Sequence, residues 1–198
     1  MPNMNYSHFN HSIIANNDFL FVIGGFYNNK CEYFNFSSFK WEEIQEINEK
    51  EIQKPMLFLY LKYLYSFNGY NQYEIYNKIY RININDLNNS IWESLTLNSL
   101  DIINLKFYGS ALFISNNELY FIGGSYVLDI KLDNFKKDVF VYDFNKNLFF
   151  NKNLSLPDEI MFNENKLHLL NEKIIGNFYY DKNYEDILGI FEKSSLEI

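Results

Sequence analysis

Short runs of apolar and aromatic residues, set apart by clusters of Asn, Asp, Ser and Gly, recur along the whole chain. Runs of this kind, rich in Phe, Tyr, Ile and Val and bounded by turn residues, predict β-strands. Ser12 to Ala15 and Phe19 to Ile23 flank Asn16-Asn17-Asp18, a good turn sequence, and so predict a hairpin. Gly24-Gly25 then ends the second run, at a place where a side chain would obstruct a neighbouring backbone or an unusual backbone angle. Glu32 to Phe36, the turn at Ser37-Ser38 and Lys40 to Ile44 complete a predicted four-stranded antiparallel sheet.

The same order then returns. Glu42 to Lys54 forms a charged connector, and Pro55 blocks further ladder pairing before Met56 to Tyr60. Tyr63 to Phe67 ends in Asn68-Gly69 in place of the glycine pair, Ile79 to Ile84 follows, Asn85 to Ser90 is an enlarged turn, and Ile91-Trp92 opens a fourth strand. A third set comprises Gly109 to Ile114, Leu119 to Gly124, Val139 to Phe144 and Leu148 to Phe150. The last set keeps Leu167 to Leu170, Lys173 to Gly176 and Ile187 to Phe191 but has lost the glycine pair and the tryptophan. Recurrence at a period of roughly 50 residues marks a repeat architecture. Ile44, Ile47 and Ile52 would share one face of a helix, yet a strand followed by an acidic linker suits the repeat better.

Gly24-Gly25 with Trp41, Gly69 with Trp92, and Gly123-Gly124 with Tyr142-Asp143 give the repeat a definite form. An apolar strand ends in glycine, a Tyr-Asp pair lies near the third strand, and a tryptophan stands at the fourth. In this form the chain resembles the kelch repeat. The resemblance implies an all-β fold of kelch-like β-propeller blades, in one domain over 1–198, with approximate blades 8–47, 55–97, 108–154 and 161–198. It also implies that Gly24, Gly25, Trp41, Gly69, Trp92, Gly123, Gly124, Tyr142 and Asp143 are repeat-defining residues that pack neighbouring units. The departures are Asn68, Phe34-Asn35 at the Tyr-Asp position, Phe149 at the Trp position and the missing glycine pair of the last unit. Kelch propellers usually close with more blades than this chain can hold. The chain is therefore expected to be an open arc, an arc completed by another chain, or a shortened product of a larger propeller. An open arc exposes sheet faces and edges and would self-associate.

Charge and composition narrow the partners. A formal net charge of -8 and a pI near 4.9 oppose a broad phosphate-binding surface, so nucleic acid is not expected. Cys31 is the only cysteine, which precludes an intrachain disulfide, and the opening MPNMNYSHFNHS lacks the basic start and apolar core of a signal peptide. Both point to a reducing, cytoplasmic setting. Pro55 to Phe67, the most apolar stretch, is broken by Lys62 and too short to cross a bilayer, so no membrane partner is expected. The Asn-x-Ser sequons at Asn5, Asn10, Asn35, Asn88 and Asn153 reflect the abundance of Asn. The aromatic content of 20% accompanies many Ile, Asn and Lys, a mixture that an A/T-rich genome produces, so packing is the default role for the aromatic residues.

Strands that run up and down place the short turns on one rim. The opposite rim receives the long stretches Phe26 to Lys30, Tyr70 to Asn77, Ser125 to Lys137 and Asn177 to Asp186, with the connectors Gln45 to Lys54 and Thr96 to Leu105. Variable loops on a rigid scaffold are where binding usually resides, which nominates Phe26, Tyr27, Tyr70, Tyr73, Tyr126, Asp129 and Asp133 as partner-binding residues. His8 and His11 lie near a flexible start, His168 lies on a strand and Cys31 stands alone, which falls short of the closed ligand set of a metal site. No phosphate loop, Gly-x-Ser-x-Gly elbow or His-Glu-x-x-His motif occurs. No catalytic, cofactor-binding or metal residue is therefore assigned. Glu42, Glu43, Glu46, Glu49 and Glu51 are expected to lie in water as a solvated connector. The expected function is a non-catalytic protein-protein interaction module or scaffold. The alternatives are a propeller enzyme acting on a sugar or other small molecule, or an inactive fragment of a larger kelch protein.

Overall fold

The computed structural model describes residues 2–26, 29–49, 51–67, 69–71, 73, 78–95, 107–108, 111–115, 117–122, 125–126, 136–170, 173–180 and 185–192. The chain divides into two compact units, Met1–Thr96 and Leu97–Ile198. Among the described residues every sheet is antiparallel, and the structure is all-β apart from one short 3-10 turn.

In the first unit β1 (Ser12–Ala15), β2 (Phe19–Ile23), β3 (Cys31–Asn35) and β4 (Lys40–Ile44) pair in chain order. The hairpin turn is fixed by Asn16, whose Oδ1 accepts from the backbone N–H of Asp18 and of Phe19. A second sheet repeats the order with β5 (Met56–Tyr60), β6 (Tyr63–Phe67), β7 (Ile79–Asn83) and β8 (Glu93–Leu95). The enlarged turn contains the 3-10 segment Ile84–Asp86, so the fourth strand begins just after Trp92 rather than at Ile91.

Period-two alternation splits each sheet into two faces. One face of the first sheet carries Ile14, Phe21, Ile23, Cys31, Tyr33 and Ile44; one face of the second carries Leu57, Leu59, Leu64, Tyr80 and Ile82, and the two form one core. The connector belongs to that core. Ile47 is 1% exposed and Ile52 0%, and Glu51 and Gln53 are buried as well, with Gln53 Nε2 donating to Glu51 Oε1 at 2.8 Å. The expectation of a solvated connector therefore fails at Ile47 and over 51–53, because the isoleucines fill the space between the sheets. Its backbone is satisfied there, since Gly25 N donates to Ile52 O and Gln53 pairs with Tyr70. Glu49 is tied down too, accepting from Lys78 Nζ and the Tyr80 hydroxyl. Among the described residues of 41–52 no helix forms, in line with the strand-and-linker expectation.

The second unit holds β9 (Phe107–Tyr108), β10 (Ala111–Ser115), β11 (Glu118–Ile122), β12 (Ser125–Tyr126), β13 (Lys136–Asp143), β14 (Leu148–Leu170), β15 (Lys173–Tyr180) and β16 (Glu185–Glu192). The strands of the last repeat join those of the third in one six-stranded sheet, ordered β10-β11-β13-β14-β15-β16. No glycine occurs from 126 to 175, so nothing of that kind ends the third repeat, and β14 runs on as a single 23-residue strand. Pro157, which cannot donate to a ladder, falls where the register shifts between the pairs Asp138 with Ser155 and Lys136 with Ile160.

The Tyr-Asp position explains itself once the turns are compared. Asp143 closes β13, and its Oδ1 accepts from Asn145 N and Lys146 N, with the Lys146 ammonium 3.0 Å away. Burial works to raise the Asp143 carboxyl, but Lys146 and the two backbone donors outweigh it and hold it below its ordinary value. Asn35 ends β3 and accepts from Ser37 N and Ser38 N, while Asn83 ends β7 and accepts from Asn85 N. Asparagine thus does in two sheets what aspartate does in the third, and Phe34-Asn35 departs in letter while keeping the turn.

Candidate functional site

In the first unit, Gly24-Gly25 after β2, Gly69-Tyr70 after β6 and the connector converge on one rim. Gly24 has φ +72 and a Cβ there would lie 2.2 Å from Ile52 O, while Gly69 has φ +99 and its Cβ would lie 2.7 Å from Ile52 Cγ2. Both glycines therefore face the same connector residue, which crosses where side chains are absent. Trp92 holds the connector from the other end, with Nε1 donating to Gln45 O at 2.7 Å. Trp41 packs on Phe34 and donates from Nε1 to Pro2 O at 3.0 Å.

That last bond introduces an element that the sequence did not suggest. Residues 2–10 are laid against the first sheet rather than left as a flexible start. His8 Nδ1 lies 2.9 Å from Gly24 O, which can only accept, so Nδ1 carries the hydrogen; Nε2 lies 2.9 Å from Glu32 Oε1. Both side chains of this pair are 0% exposed. Glu32 also accepts from Asn5 N and Tyr6 N. Further along, Phe26 N donates to Phe9 O, Lys54 N to Asn10 O, and Asn10 Nδ2 to Gln53 Oε1. His11 lies edge-on to His8 at 5.6 Å, and burial together with His8 holds its imidazole below the ordinary value. One signal for this arrangement was present in the sequence. Glu32 interrupts an otherwise apolar strand, and a carboxylate on a buried strand requires partners from elsewhere.

The nominated binding residues fall into three groups. Phe26 and Tyr73 lie on the rim, Phe26 against the ring of Phe9 with centroids 6.2 Å apart, and Phe9 and Tyr73 are 66% and 76% exposed. Tyr70 and Tyr126 are partly spent on pairing, Tyr70 with the connector and Tyr126 with Phe107, so Tyr126 opens a short ladder instead of a free loop. Tyr27, Asp129 and Asp133, with the repeat glycines Gly123 and Gly124, lie outside the described residues. Tyr142 is buried, its hydroxyl donating to Asn147 Oδ1 at 2.6 Å.

The fold is similar to that of a solved structure described as "Structure of YjhT", with a TM-score of 0.72 and 12% sequence identity over 96% of this chain and 67% of that one. At this identity the likeness concerns the fold alone. No protein-family model and no curated relative matches the sequence. Among the described residues, no group of three or more His, Cys, Asp or Glu side chains is arranged to hold a metal ion, and no helix is long and apolar enough to cross a membrane.

Cys31 takes no part in the rim. It is buried in the shared core, and burial pushes its thiol up to about 12. Iodoacetamide is therefore expected to leave Cys31 unmodified in the folded protein and to label it fully in denaturant, as read by intact mass. Rapid labelling without denaturant would place the thiol outside the core.

Proposed function

We propose that this chain is a non-catalytic interaction module that binds a protein partner through the rim after β2 and β6. The observation that carries the proposal is the sorting of side chains there. Phe9 and Tyr73 project into solvent, whereas the groups best suited to chemistry, His8, Glu32 and Cys31, are enclosed and bonded within the scaffold. Exposed aromatic residues beside rigid backbone are the usual anchors of protein recognition. We further propose that the two consecutive four-stranded sheets over one core are kelch-like propeller blades, which is how adjacent blades pack. A cytoplasmic setting agrees with a lone cysteine kept as a buried free thiol.

The test is affinity capture from lysate of the source cells, followed by binding measurements with the captured protein in purified form. Phe9→Ser combined with Tyr73→Ser is expected to weaken binding by about tenfold or more, the usual effect of losing aromatic anchors. Leu61→Asn, in the β5–β6 turn on the opposite rim, is the control and is expected to bind like the parent. Equal binding by the parent and both variants would defeat the proposal.

A further inference from the structure

At the end of the connector one residue breaks the pattern around it. Glu51, Ile52, Gln53 and Pro55 are buried, yet Lys54 among them is exposed. Its backbone has φ +42, in the left-handed region that side-chain-bearing residues rarely adopt, although a following proline favours extended backbone instead. Neighbours hold this conformation in place. Lys54 N donates to Asn10 O at 2.8 Å, Asn10 is itself left-handed at φ +57, and Gln53 pairs with Tyr70 through both of its backbone groups. Phe26 N donates to Phe9 O, which carries the same bonded row one residue further. The backbone of Lys54 is thereby fixed beside the exposed Phe9, on the rim that also bears the exposed Tyr73.

Charge sets Lys54 apart as well. On this rim Lys30 pairs with Glu46 and Lys78 with Glu49, so two carboxylates of the connector meet cations of the scaffold. Glu51, close before Lys54 in the chain, is buried and accepts from the Gln53 amide. Among the described residues Lys54 enters no ion pair. A strained backbone persists only where its surroundings enforce it, and such positions gather at ligand clamps. Here the strain holds an unmatched cation out in solvent, next to aromatic side chains.

We infer that Lys54 is the charged anchor of the partner-binding rim, and that this rim takes an extended peptide segment presenting a carboxylate next to an apolar side chain. The inference rests on the partner-binding reading above and adds the chemistry of the partner to it. The Lys54 ammonium meets the carboxylate, while Phe9, packed edge to face on Phe26, and Tyr73 take up the apolar side chain. A charge placed at such a rim chiefly steers and selects partners. The overall charge of -8 draws basic partners at long range, so selectivity for an acidic segment comes from this local cation.

Phage-displayed random peptides, selected on the immobilised full chain and in parallel on a Lys54→Glu variant, provide the test. The Lys54 side chain is in solvent, so the variant is expected to keep the urea midpoint of the parent, followed by tryptophan emission. The parent is expected to enrich peptides with Asp or Glu beside an aromatic or large aliphatic residue, and the variant to enrich Lys or Arg at that place. The best parent-selected peptide is then synthesised and titrated by fluorescence anisotropy. Exchanging its acidic residue for the matching amide should weaken binding by about threefold or more at low salt, and added salt should shrink the difference, as for an exposed ion pair. Peptides that lose binding to the variant carrying Phe9→Ser and Tyr73→Ser, but bind the parent and Lys54→Glu alike, overturn this inference and leave the rim reading standing. Enrichment of basic peptides by the parent does the same. No enrichment over an unrelated protein, or peptides that bind the double variant as well as the parent, defeats the rim reading and this inference together. Should Lys54→Glu fail to fold, the amide exchange decides the matter on the parent alone, and equal binding of the acidic and amide peptides refutes the anchor.

Discussion

Gly24→Ala is expected to destabilise the first unit by roughly 3 kcal/mol or more, a size seen when backbone strain and a backbone clash coincide. The substitution imposes a side chain at φ +72 and drives its Cβ to 2.2 Å from Ile52 O, an atom that cannot swing away. Moving it would also break the bond from Gly25 N to Ile52 O, at 2.7 Å. Trp41 and Trp92 are the only tryptophans and both lie in the first unit, so selectively excited tryptophan emission in a urea titration follows that unit. A midpoint equal to that of the parent would mean that the connector does not cross at Gly24.

Ile52→Ala is expected to cost about 2–5 kcal/mol, the range for emptying a fully buried isoleucine site. Its second use is diagnostic. In Gly69→Ala the new Cβ meets Ile52 Cγ2 at 2.7 Å, an atom that Ile52→Ala removes, whereas in Gly24→Ala the obstacle is the main chain. The double variant Gly69→Ala, Ile52→Ala should therefore be less destabilised than the sum of its parts, and Gly24→Ala, Ile52→Ala should gain no such relief. Simple additivity in both pairs would contradict the contact geometry.

How far the sequence reveals this protein depends on which residues carry the signal. Strands β1, β2, β4, β5 and β6 are legible to the residue, because β1 and β2 are apolar runs that meet at an Asn-Asn-Asp turn and end in glycine, β4 follows the Ser37-Ser38 turn, and Pro55 sets the start of β5. The burial of Ile47 and Ile52 is not legible, since charged neighbours give their stretch the composition of a solvated linker and only the space between two sheets makes it core. The pairing of the last set of strands is not legible for a related reason. Absence of glycine was legible, but its consequence, continuation of β14 into the next ladder, depends on pairing partners. At the rim, the places of Phe26 and Tyr73 follow from topology alone, whereas the packing of residues 2–10 on the first sheet and the His8–Glu32 contact are long-range, hinted at only by one glutamate in an apolar strand.

The buried connector also bears on how the chain is made. The turns at Asn16 and Asn35 are local, so the strands of the first sheet are expected to pair soon after leaving the ribosome. The inner face of that sheet, however, has nothing to rest on until Ile47 and Ile52 and then Leu64 and Ile82 have emerged. The nascent first sheet must wait, half covered, through the synthesis of about as much chain again, and that interval is when it is most open to chaperones and to misassembly.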